Sequence, residues 1–570
     1  MKTLPLLLII ATGHAALTSS ASAGYHVWRG GAAYTYWSAN ANWSSGGAPV
    51  SGEAGSVELS FGPGALDFST TSDIYALRVD KLAFSGATNY QIGIRGEGTM
   101  VLKPQALGYS LTNICPQVLF YYPLILTSNH RVYSHTGTEL LLYNPNSGVG
   151  GFTFDGTGTT RICGPTTNSF TGPTTVLEGI VHLDKETGPA FGGALVIGQP
   201  GAAQGAYVYV ERSGQIPDTS PVTVHSDSFL FASDDTETIG PLTMTGGSVY
   251  GGNGGAGGTT HLVLGGPVTV PATATEPATL SGSISLGPVS RDFTIAEGKF
   301  LSVYAGVAAS SSAAGINKKG GGTLVMHGDH VFGGDTDVFG GRVILRNSQP
   351  DSTVRIHAAG EVTAFDASLG HVVNTGGLLH VTWLATATDG VRCESLSLSN
   401  GSVFRTNIRG PMPGAEYGQI EAHGPVTLAG CALEVIPTYD AGVGVAFRII
   451  DNFDAGPVRG TFENLPEGAR LVAGDAVWQI TYHGGAGGND VILTRKADPA
   501  KLTTVVRQPN GAMTITGTGD AGRIYRMEAS TDLLTWTDLG PVTANNSGRL
   551  LFTDAAAPNF PRRFYRCPAQ

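Results

Sequence analysis

Short runs in which apolar and polar residues alternate occur along most of the chain from about residue 55 onward. The clearest runs are 56–61, 76–84, 99–103, 119–127 and 138–143, and glycine, asparagine, aspartate or proline residues separate them. Alternation over about four to seven residues is typical of half-buried β-strands, and no segment keeps the helical period of about 3.6 residues. The pattern therefore predicts an all-β chain.

One strand-and-turn pattern occurs twice in the sequence. The stretches FTGPTTVLEGIVHL, at 170–183, and FGGDTDVFGGRVIL, at 332–345, agree at seven of fourteen positions. Related residues precede both, so the best copies span 154–183 and 316–345. Such repeats indicate stacked copies of one supersecondary unit. In the second copy the expected core positions are Leu324, Val338, Val343 and Leu345, and the expected glycine corners are Gly322, Gly334 and Gly341.

Two observations favour a parallel β-helix over a series of sandwich domains. In a β-helix each strand pairs with its equivalent one turn away, at about 4.8 Å, so similar residues stack on each other, as the repeated Val, Leu and Phe positions do. Sandwich domains would need linkers about every hundred residues, and none is evident before the region near Ala497. The sequence predicts a β-helix over residues 63–496, with about 20 to 25 residues per turn.

Both ends of the chain differ from this middle part. Residues 1–23 have the pattern of a signal peptide, with Lys2, an apolar run and the sequence Ala-Ser-Ala before Gly24. Residues 24–62 are rich in aromatic residues and predict a cap over the first turn of the solenoid. Residues 498–570 predict a small separate β module with eight Lys and Arg against six Asp and Glu. Such a mildly basic module could dock on an acidic solenoid or envelope polymer, or carry solvated charge without a partner.

Composition narrows the class of protein. The 82 glycines show no Gly-X-Y period, which excludes collagen, and 41% hydrophobic residues argue against disorder. A net charge of −11 disfavours nucleic acid and anionic membrane as partners. No stretch after the signal peptide has the roughly 18 apolar residues of a transmembrane helix. The five scattered cysteines favour small buried residues over a disulfide framework.

The segment GGGTLVMHGDHVFGGDTDVFGGRVIL, at 320–345, resembles the autotransporter-associated β-strand repeat. That pattern has a G-x-G-T-L-x-L run, then N-x-Y/F-x-G-x-T-x-V and G-x-L-x-L; His330 replaces its Asn, and Asp335 and Phe339 also depart from it. The likeness extends over most of residues 25–495. It implies a right-handed parallel β-helix in passenger-type secreted bacterial proteins, usually assigned to adhesion or surface structure. Because 498–570 are too few for the translocator barrel of that family, we expect export by machinery acting in trans.

Candidate chemistry is sparse. The best local group of carboxylates is Asp234, Asp235 and Glu237, which we interpret as a solvated turn because no companion motif follows. The glycine-rich segment 484–490 resembles half of a calcium-binding turn, but without tandem copies it indicates a plain corner. The histidines are scattered, so the sequence predicts no catalytic, cofactor-binding or metal-binding residue. Trp28, Trp37 and Trp43 are candidates for stacking on sugar rings, although a cap would also need them.

The sequence thus predicts a secreted or cell-surface β-helical scaffold, adhesin-like and not an enzyme, whose partners would be extracellular polysaccharide or cell-envelope components. One alternative is a polysaccharide lyase or glycoside hydrolase on the same scaffold, which a groove with three or more converging carboxylates would favour. Another is a non-catalytic carbohydrate-binding protein, which a flat exposed row of the three tryptophans would favour. A smooth face rich in Ser, Thr and Asn would favour adhesion.

Overall fold

The structure is a computed structural model that describes residues 24–568 except 45–46, 54, 95–97, 104–107, 203, 233–234, 253–261, 383–389, 475 and 498–499. The predicted signal peptide, 1–23, lies outside the described residues. The chain divides into two compact units. Unit 1 contains residues 1–267 and 273–284, and unit 2 contains 268–272 and 285–570.

The described residues form β-strands joined by turns, with no α-helix and two short 3₁₀ turns at Asn40–Asn42 and Ala557–Asn559. The strands up to residue 285 are β1 Tyr25–Trp28, β2 Glu58–Phe61, β3 Ser69–Ser72, β4 Leu77–Val79, β5 Lys81–Phe84, β6 Tyr90–Ile94, β7 Met100–Leu102, β8 Leu111–Asn113, β9 Gln117–Phe120, β10 Leu124–Leu126, β11 His130–Ser134, β12 Glu139–Leu142, β13 Ser147–Gly148, β14 Phe152–Asp155, β15 Thr159–Gly164, β16 Thr174–Val176, β17 Gly179–Lys185, β18 Leu195–Ile197, β19 Ala206–Val210, β20 Val222–Val224, β21 Phe229–Ala232, β22 Glu237–Ile239, β23 Leu242–Met244, β24 Ser248–Gly251, β25 Leu262–Leu264, β26 Val268–Val270 and β27 Ala278–Ser285.

The later strands are β28 Arg291–Ile295, β29 Phe300–Ala308, β30 Ile316–Lys319, β31 Thr323–Met326, β32 Thr336–Val338, β33 Gly341–Gln349, β34 Val354–Ile356, β35 Gly360–Asn374, β36 Leu378–Val381, β37 Val391–Ser399, β38 Val403–Ile408, β39 Ile420–Ala422, β40 Val426–Ala429, β41 Ala432–Pro437, β42 Ala446–Asn452, β43 Arg459–Thr461, β44 Arg470–Ala473, β45 Ala476–Gly484, β46 Asp490–Lys496, β47 Lys501–Arg507, β48 Met513–Thr518, β49 Ile524–Ser530, β50 Thr537–Thr543, β51 Arg549–Asp554 and β52 Phe564–Arg566.

Within each unit, strands from successive turns pair in parallel, which confirms the predicted β-solenoid. In unit 1, ladder A contains β2, β5, β8, β11, β14, β16, β18, β20 and β23, and ladder B contains β3, β6, β9, β12, β15, β17, β19, β21 and β24. Phe152 pairs with Thr174, and Thr174 pairs with Leu195, so these turns are 22 and 21 residues long. Among the paired strands, turn length varies more than predicted, from 17 residues between Glu361 and Leu378 in unit 2 to 33 between Tyr25 and Glu58 in unit 1.

Each predicted repeat supplies two neighbouring turns. In unit 1, β14 pairs with β16 and β15 with β17, and in unit 2, β30 pairs with β32 and β31 with β33. Leu324 therefore stacks on Val343, and Met326 stacks on Leu345. The four predicted core residues, Leu324, Val338, Val343 and Leu345, are all at most 1% exposed.

The three predicted corner glycines differ in what they contribute. Gly341 has a φ of +66°, as a left-handed corner requires. Neither Gly322 nor Gly334 has a φ in the left-handed region. A Cβ at Gly334 would instead lie 2.3 Å from the carbonyl carbon of Ala314, and one at Gly322 would lie 2.2 Å from the Ala296 oxygen. Both residues lie at bends, as expected of corners, but glycine is needed there because it permits the close approach of neighbouring turns.

His330 performs the same task as the residue it replaces in the repeat pattern. In the first copy Asn168 stands at the equivalent position, and its Oδ1 accepts a hydrogen bond from the backbone N–H of Asn146 at 2.7 Å. In the second copy, the backbone N–H of Val307 donates to Nδ1 of buried His330 at 3.3 Å. Both side chains satisfy a backbone donor of the preceding turn.

The aromatic segment 24–62 packs at the beginning of unit 1. Its strand β1 already pairs in parallel with β2, so the segment belongs to the ladder that it covers. Trp28 and Trp37 both lie edge-on to Trp43, with ring centroids 5.2 and 6.0 Å apart, and all three contact Phe61. These rings fill the interior at the first turn, as a cap does.

The parallel arrangement does not continue to residue 496. The strands β42, β44, β45 and β46 of unit 2 pair in antiparallel order, with β45 between β44 and β46. Trp478 and Phe447 are fully buried there, and their ring centroids lie 5.6 Å apart. However, β42 also pairs in parallel with β39, and β43 pairs in parallel with β40, so the predicted β-helix over 63–496 gives way to an antiparallel sheet from about Arg470 onward.

Residues 501–566 form two antiparallel sheets of three strands. One sheet has the order β47, β48, β51, and the other has the order β50, β49, β52. A cluster that includes Ile515, Tyr525 and Met527 is buried between strands of both sheets. The small separate β-sandwich-like module expected at 498–570 stays a prediction.

Candidate functional site

Aromatic side chains occupy two outward rows of ladder B in unit 1. The strands β19 and β21 bury every second residue, so their aromatic residues point away from the core. The register places Tyr207 beside Phe229 and Tyr209 beside Phe231. Parallel in-register pairing therefore brings together rings that are 22 residues apart in the sequence.

The rings stack face to face along the ladder. Tyr207 and Phe229 have centroids 5.2 Å apart and planes 6° apart, and Tyr209 and Phe231 have centroids 4.9 Å apart and planes 9° apart. The His182 imidazole stacks on the other face of Tyr209, at 5.1 Å. Both faces of the Tyr209 ring are therefore covered by protein rings.

Tyr207 differs from Tyr209 because, among the described residues, Phe229 is the one ring that stacks on it, whereas His182 and Phe231 both stack on Tyr209. In register, the residue on the side away from Phe229 is Ile180, and Thr159 follows. A cavity of about 240 Å³ opens here, and its lining consists of Thr157, Gly179, Ile180, Gln204, Gly205, Tyr207 and Tyr209. We call this feature, with Tyr207 as its wall and Ile180 as its floor, the aromatic step.

A group of charged side chains lies next to the aromatic rows on the same ladder. The Arg161 guanidinium is 3.7 Å from a Glu139 oxygen, 3.1 Å from Asp184 and 3.9 Å from Glu211. His182 forms a short hydrogen bond with Glu211. Three carboxylates from successive turns therefore converge on one arginine, but none of them lines the aromatic step.

The outward row of ladder A is chemically uniform. Thr153, Thr175, Val196, Thr223 and Thr243 are consecutive in register, and all are half-buried. Four of the five carry a hydroxyl at the spacing of one strand, about 4.8 Å. The threonine hydroxyls therefore form a regular row on the outer side of ladder A.

The three tryptophans that the sequence suggested for sugar stacking are inside the protein. Trp28, Trp37 and Trp43 are 1%, 0% and 4% exposed. Each indole N–H is satisfied internally, by Asp67 O, Thr70 Oγ1 and Trp37 O respectively. They offer no ring face to a sugar in this structure, because an end cap needs large apolar side chains directed inward.

The local carboxylate group around residue 235 does not form a cleft. Asp234 lies outside the described residues, and Asp235 is exposed. Glu237 is fully buried and accepts hydrogen bonds from the backbone N–H groups of Gln215, at 3.0 Å, and Ile216, at 2.9 Å. Burial raises its pKa to about 7. Glu237 thus holds a turn of the chain in place.

The glycine-rich segment 484–490 joins the antiparallel strands β45 and β46. Its Asp490 is 4% exposed, accepts a hydrogen bond from the Asn452 N–H and pairs with Arg448 at 3.1 Å. The segment is therefore a hairpin turn.

The repeat-equivalent histidines His225 and His357 hydrogen-bond to Thr245 and Asp337 of a neighbouring turn.

Sequence reasoning missed the aromatic step, although a signal for it exists. The segments AYVYV, at 206–210, and FLFA, at 229–232, place aromatic residues at alternate positions. Because strand alternation directs such residues to one face, and because the spacing equals one turn, the four rings could have been assigned to one outward surface.

Unit 2 has two larger cavities without an aromatic wall of this kind. One, of about 480 Å³, lies over glycine corners beside the Arg342–Glu361 ion pair. The other, of about 350 Å³, lies beside Arg448 and Asp451, and its one aromatic lining residue, Tyr417, is 4% exposed. Of these three cavities, the one in unit 1 is thus the cavity lined by two half-buried aromatic residues, Tyr207 and Tyr209.

Across the described part of the chain, no three His, Cys, Asp or Glu side chains form a group that could hold a metal ion. Within the same residues, no helix has the length and hydrophobicity of a membrane span. All five cysteines are buried and free of disulfides. No family model matches this chain, and no curated protein shows detectable similarity to it.

Proposed function

We propose that this protein is a secreted or cell-surface scaffold, adhesin-like in its role, that binds a glycan on ladder B at the aromatic step. The observation that carries the proposal is the position of Tyr207, a half-buried residue in the lining of a cavity, with Phe229 stacked on one side of its ring and the aliphatic Ile180 in register on the other. Aromatic rings bind the apolar faces of pyranose rings when one ring face is accessible, and we infer that the cavity gives a sugar access to the Tyr207 ring.

The size of the cavity supports one ring of a polymer as the ligand. Its volume of about 240 Å³ is below the roughly 300–1,000 Å³ of pockets that enclose a drug-sized molecule. Thr157 and Gln204 supply a hydroxyl and an amide at its edge, where sugar hydroxyls would need hydrogen-bond partners. A single contact of this kind contributes only about 0.5–1.5 kcal/mol, so useful affinity requires a polymer that engages several sites.

The proposal includes a location and a partner. The signal-peptide pattern and the resemblance to autotransporter-associated repeats support export to the surface of a bacterial cell, with machinery in trans. The threonine row of ladder A is a second regular surface that could contact cell-envelope polysaccharide through hydroxyl groups. The solenoid would then act as a rigid support for both faces.

Binding to a glycan array tests the proposal. Tyr207→Ala should abolish binding, whereas Tyr207→Phe should retain it because the ring face remains. Tyr143→Ala is the matched control, since Tyr143 is another half-buried tyrosine of unit 1, tilted against Tyr121 at 4.8 Å. Equal loss of binding in Tyr207→Ala and Tyr143→Ala would refute the assignment to the step.

A second candidate function is glycoside hydrolysis, which the convergence of Glu139, Asp184 and Glu211 on Arg161 favours. A hydrolase needs two carboxyl groups on one bound sugar, one to donate a proton and one to accept or attack. Incubation with the polysaccharide that the array identifies should then release reducing ends, and Asp184→Asn should stop the release without loss of binding. Binding without any release identifies the protein as a scaffold.

A further inference from the structure

The segment 530–536 of the C-terminal module, STDLLTW, displays two leucines on a stiff loop. Leu534 is 85% exposed, and Leu533 is 54% exposed. Leu533 also has a φ of +65°, a left-handed conformation that is unfavourable for a residue with a side chain. Such strain persists where the surrounding structure fixes the backbone, and it is frequent at functional loops.

Asp532 fixes this loop. Its Oδ1 accepts hydrogen bonds from the backbone N–H groups of Leu534 and Thr535, both at 2.8 Å, and from the Ser530 hydroxyl at 2.9 Å. The Leu533 N–H donates to the Ser530 hydroxyl at 2.8 Å. The two leucines are therefore held in solvent by a hydrogen-bonded loop, and they do not fold back onto the module's own core.

Basic and aromatic side chains surround the base of the loop. Arg562 is exposed, and its Nε donates to the Thr531 carbonyl at 3.0 Å. The Arg566 guanidinium lies over the Trp536 ring at 4.1 Å. Phe564, 38% exposed, is opposite Ser530 in the β49–β52 register. Arg566 is also paired with Glu528 at 2.6 Å, whereas the hydrogen bond of Arg562 goes to a neutral carbonyl, so the surface combines two aliphatic side chains with the positive charge of Arg562.

We propose that the loop 530–536 inserts Leu533 and Leu534 into an anionic lipid surface, while Arg562 contacts the headgroups. Aliphatic side chains lose water favourably at the acyl boundary, and stable attachment at a bilayer surface takes an apolar and an electrostatic contribution together. Charge complementarity is local. Residues 498–570 carry a net charge of +2 although the whole chain carries −11, and salt screens charges farther away than about 8–10 Å. This attachment does not depend on glycan binding.

Flotation of the full chain with lipid vesicles tests the inference. The protein should float with vesicles of phosphatidylcholine and phosphatidylglycerol and bind phosphatidylcholine alone more weakly. Leu533→Ser with Leu534→Ser should lower the affinity at least tenfold, on the order of what removing a leucine side chain costs. Arg562→Gln should lower it roughly fivefold. Leu551→Ser, at another leucine of the module that is 60% exposed, should bind as the original chain does.

The outcomes are separable. Absence of flotation with both vesicle types overturns the inference, and so does an equal loss for the Leu551→Ser control. Unchanged melting of the double variant shows that its loss of binding is not unfolding. If the double variant melts early, Leu534→Ser alone decides, because a side chain that is 85% exposed supports no core. Concentration-dependent dimers that the double variant abolishes, without vesicle binding, would identify a second copy as the occupant and contradict the lipid assignment.

Discussion

Replacing Val343 by Asp tests whether the repeat is a ladder with an inward and an outward face. Val343 is fully buried on β33, between Leu324 of the preceding turn and Val362 of the following one. Ile344, next to it, points outward and is half-buried. Ile344→Asp is therefore a matched control, since it places the same carboxylate on the same strand but on the opposite face.

The expected decrease in the free energy of unfolding of Val343→Asp has two parts. Loss of the buried valine costs about 1.5–3 kcal/mol. A carboxyl in this apolar site becomes neutral, and protonating an aspartate of ordinary pKa at pH 7 costs about 4 kcal/mol. The sum is on the order of 6 kcal/mol at pH 7, and about 2 kcal/mol near pH 4, where protonation is nearly free. Ile344→Asp should cost less than about 1 kcal/mol at either pH.

Hydrogen exchange is the suitable assay, because each turn of a solenoid depends mainly on its neighbours and a single global transition is not assured. The amides of β31, β33 and β35 should lose protection in Val343→Asp at pH 7 and regain most of it near pH 4. Those of Ile344→Asp should stay protected throughout. Equal loss of protection in the two variants would refute the inward and outward assignment.

Three further predictions concern buried groups and glycines. Burial raises the pKa of Glu237 from 4.5 to about 7, so its contribution to stability is full below pH 4.5 and is lost as the pH rises through 7. Glu237→Gln should therefore flatten the decline in melting temperature between about pH 5 and about pH 8. Equal slopes for the variant and the original chain would contradict this. Burial lowers the pKa of His330 from 6.5 to about 4, so the stability that its neutral ring contributes is lost as the pH falls from 6.5 towards 4. His330→Asn keeps an acceptor for the Val307 N–H, and in acid unfolding curves it should remove this loss of stability. Gly179→Ala should lower the free energy of unfolding, measured with denaturant, by about 1–3 kcal/mol more than Gly137→Ala does. Both glycines have a positive φ, but only at Gly179 would a Cβ meet the backbone, 2.2 Å from the Gly156 oxygen. Equal losses in the two variants would show that the neighbouring turn can move.

The core of the repeats was predictable because alternation alone decides it. Val343 and Leu345 are two positions apart, and in a strand such residues share a face. The glycine roles were only partly predictable. Gly341 and Gly334 look alike in sequence, but whether a glycine turns the chain or makes room for the next turn depends on coordinates of another turn.

The antiparallel end of unit 2 could not be read from the sequence, because parallel and antiparallel strands show the same alternation. Trp478 and Tyr482 alternate with polar residues as residues of a parallel strand would. Direction depends on how the chain returns, here through the hairpin at 484–490.

The candidate site was missed for a related reason. Trp28, Trp37 and Trp43 are close together in the sequence and attract attention, but nearness does not show which way a ring points, and all three point inward. Tyr207 and Phe229 are far apart, and only the register of the ladder joins them. In a solenoid a surface is built across turns, so a search for sites must compare positions one turn apart.

A crystal structure with a bound oligosaccharide, taken from the glycan that the array identifies, tests the central claim most directly. The account predicts one sugar ring parallel to the Tyr207 ring, over Ile180, on the side away from Phe229. A sugar bound elsewhere, such as over the glycine corners beside Arg342 and Glu361, with the aromatic step empty, would contradict it.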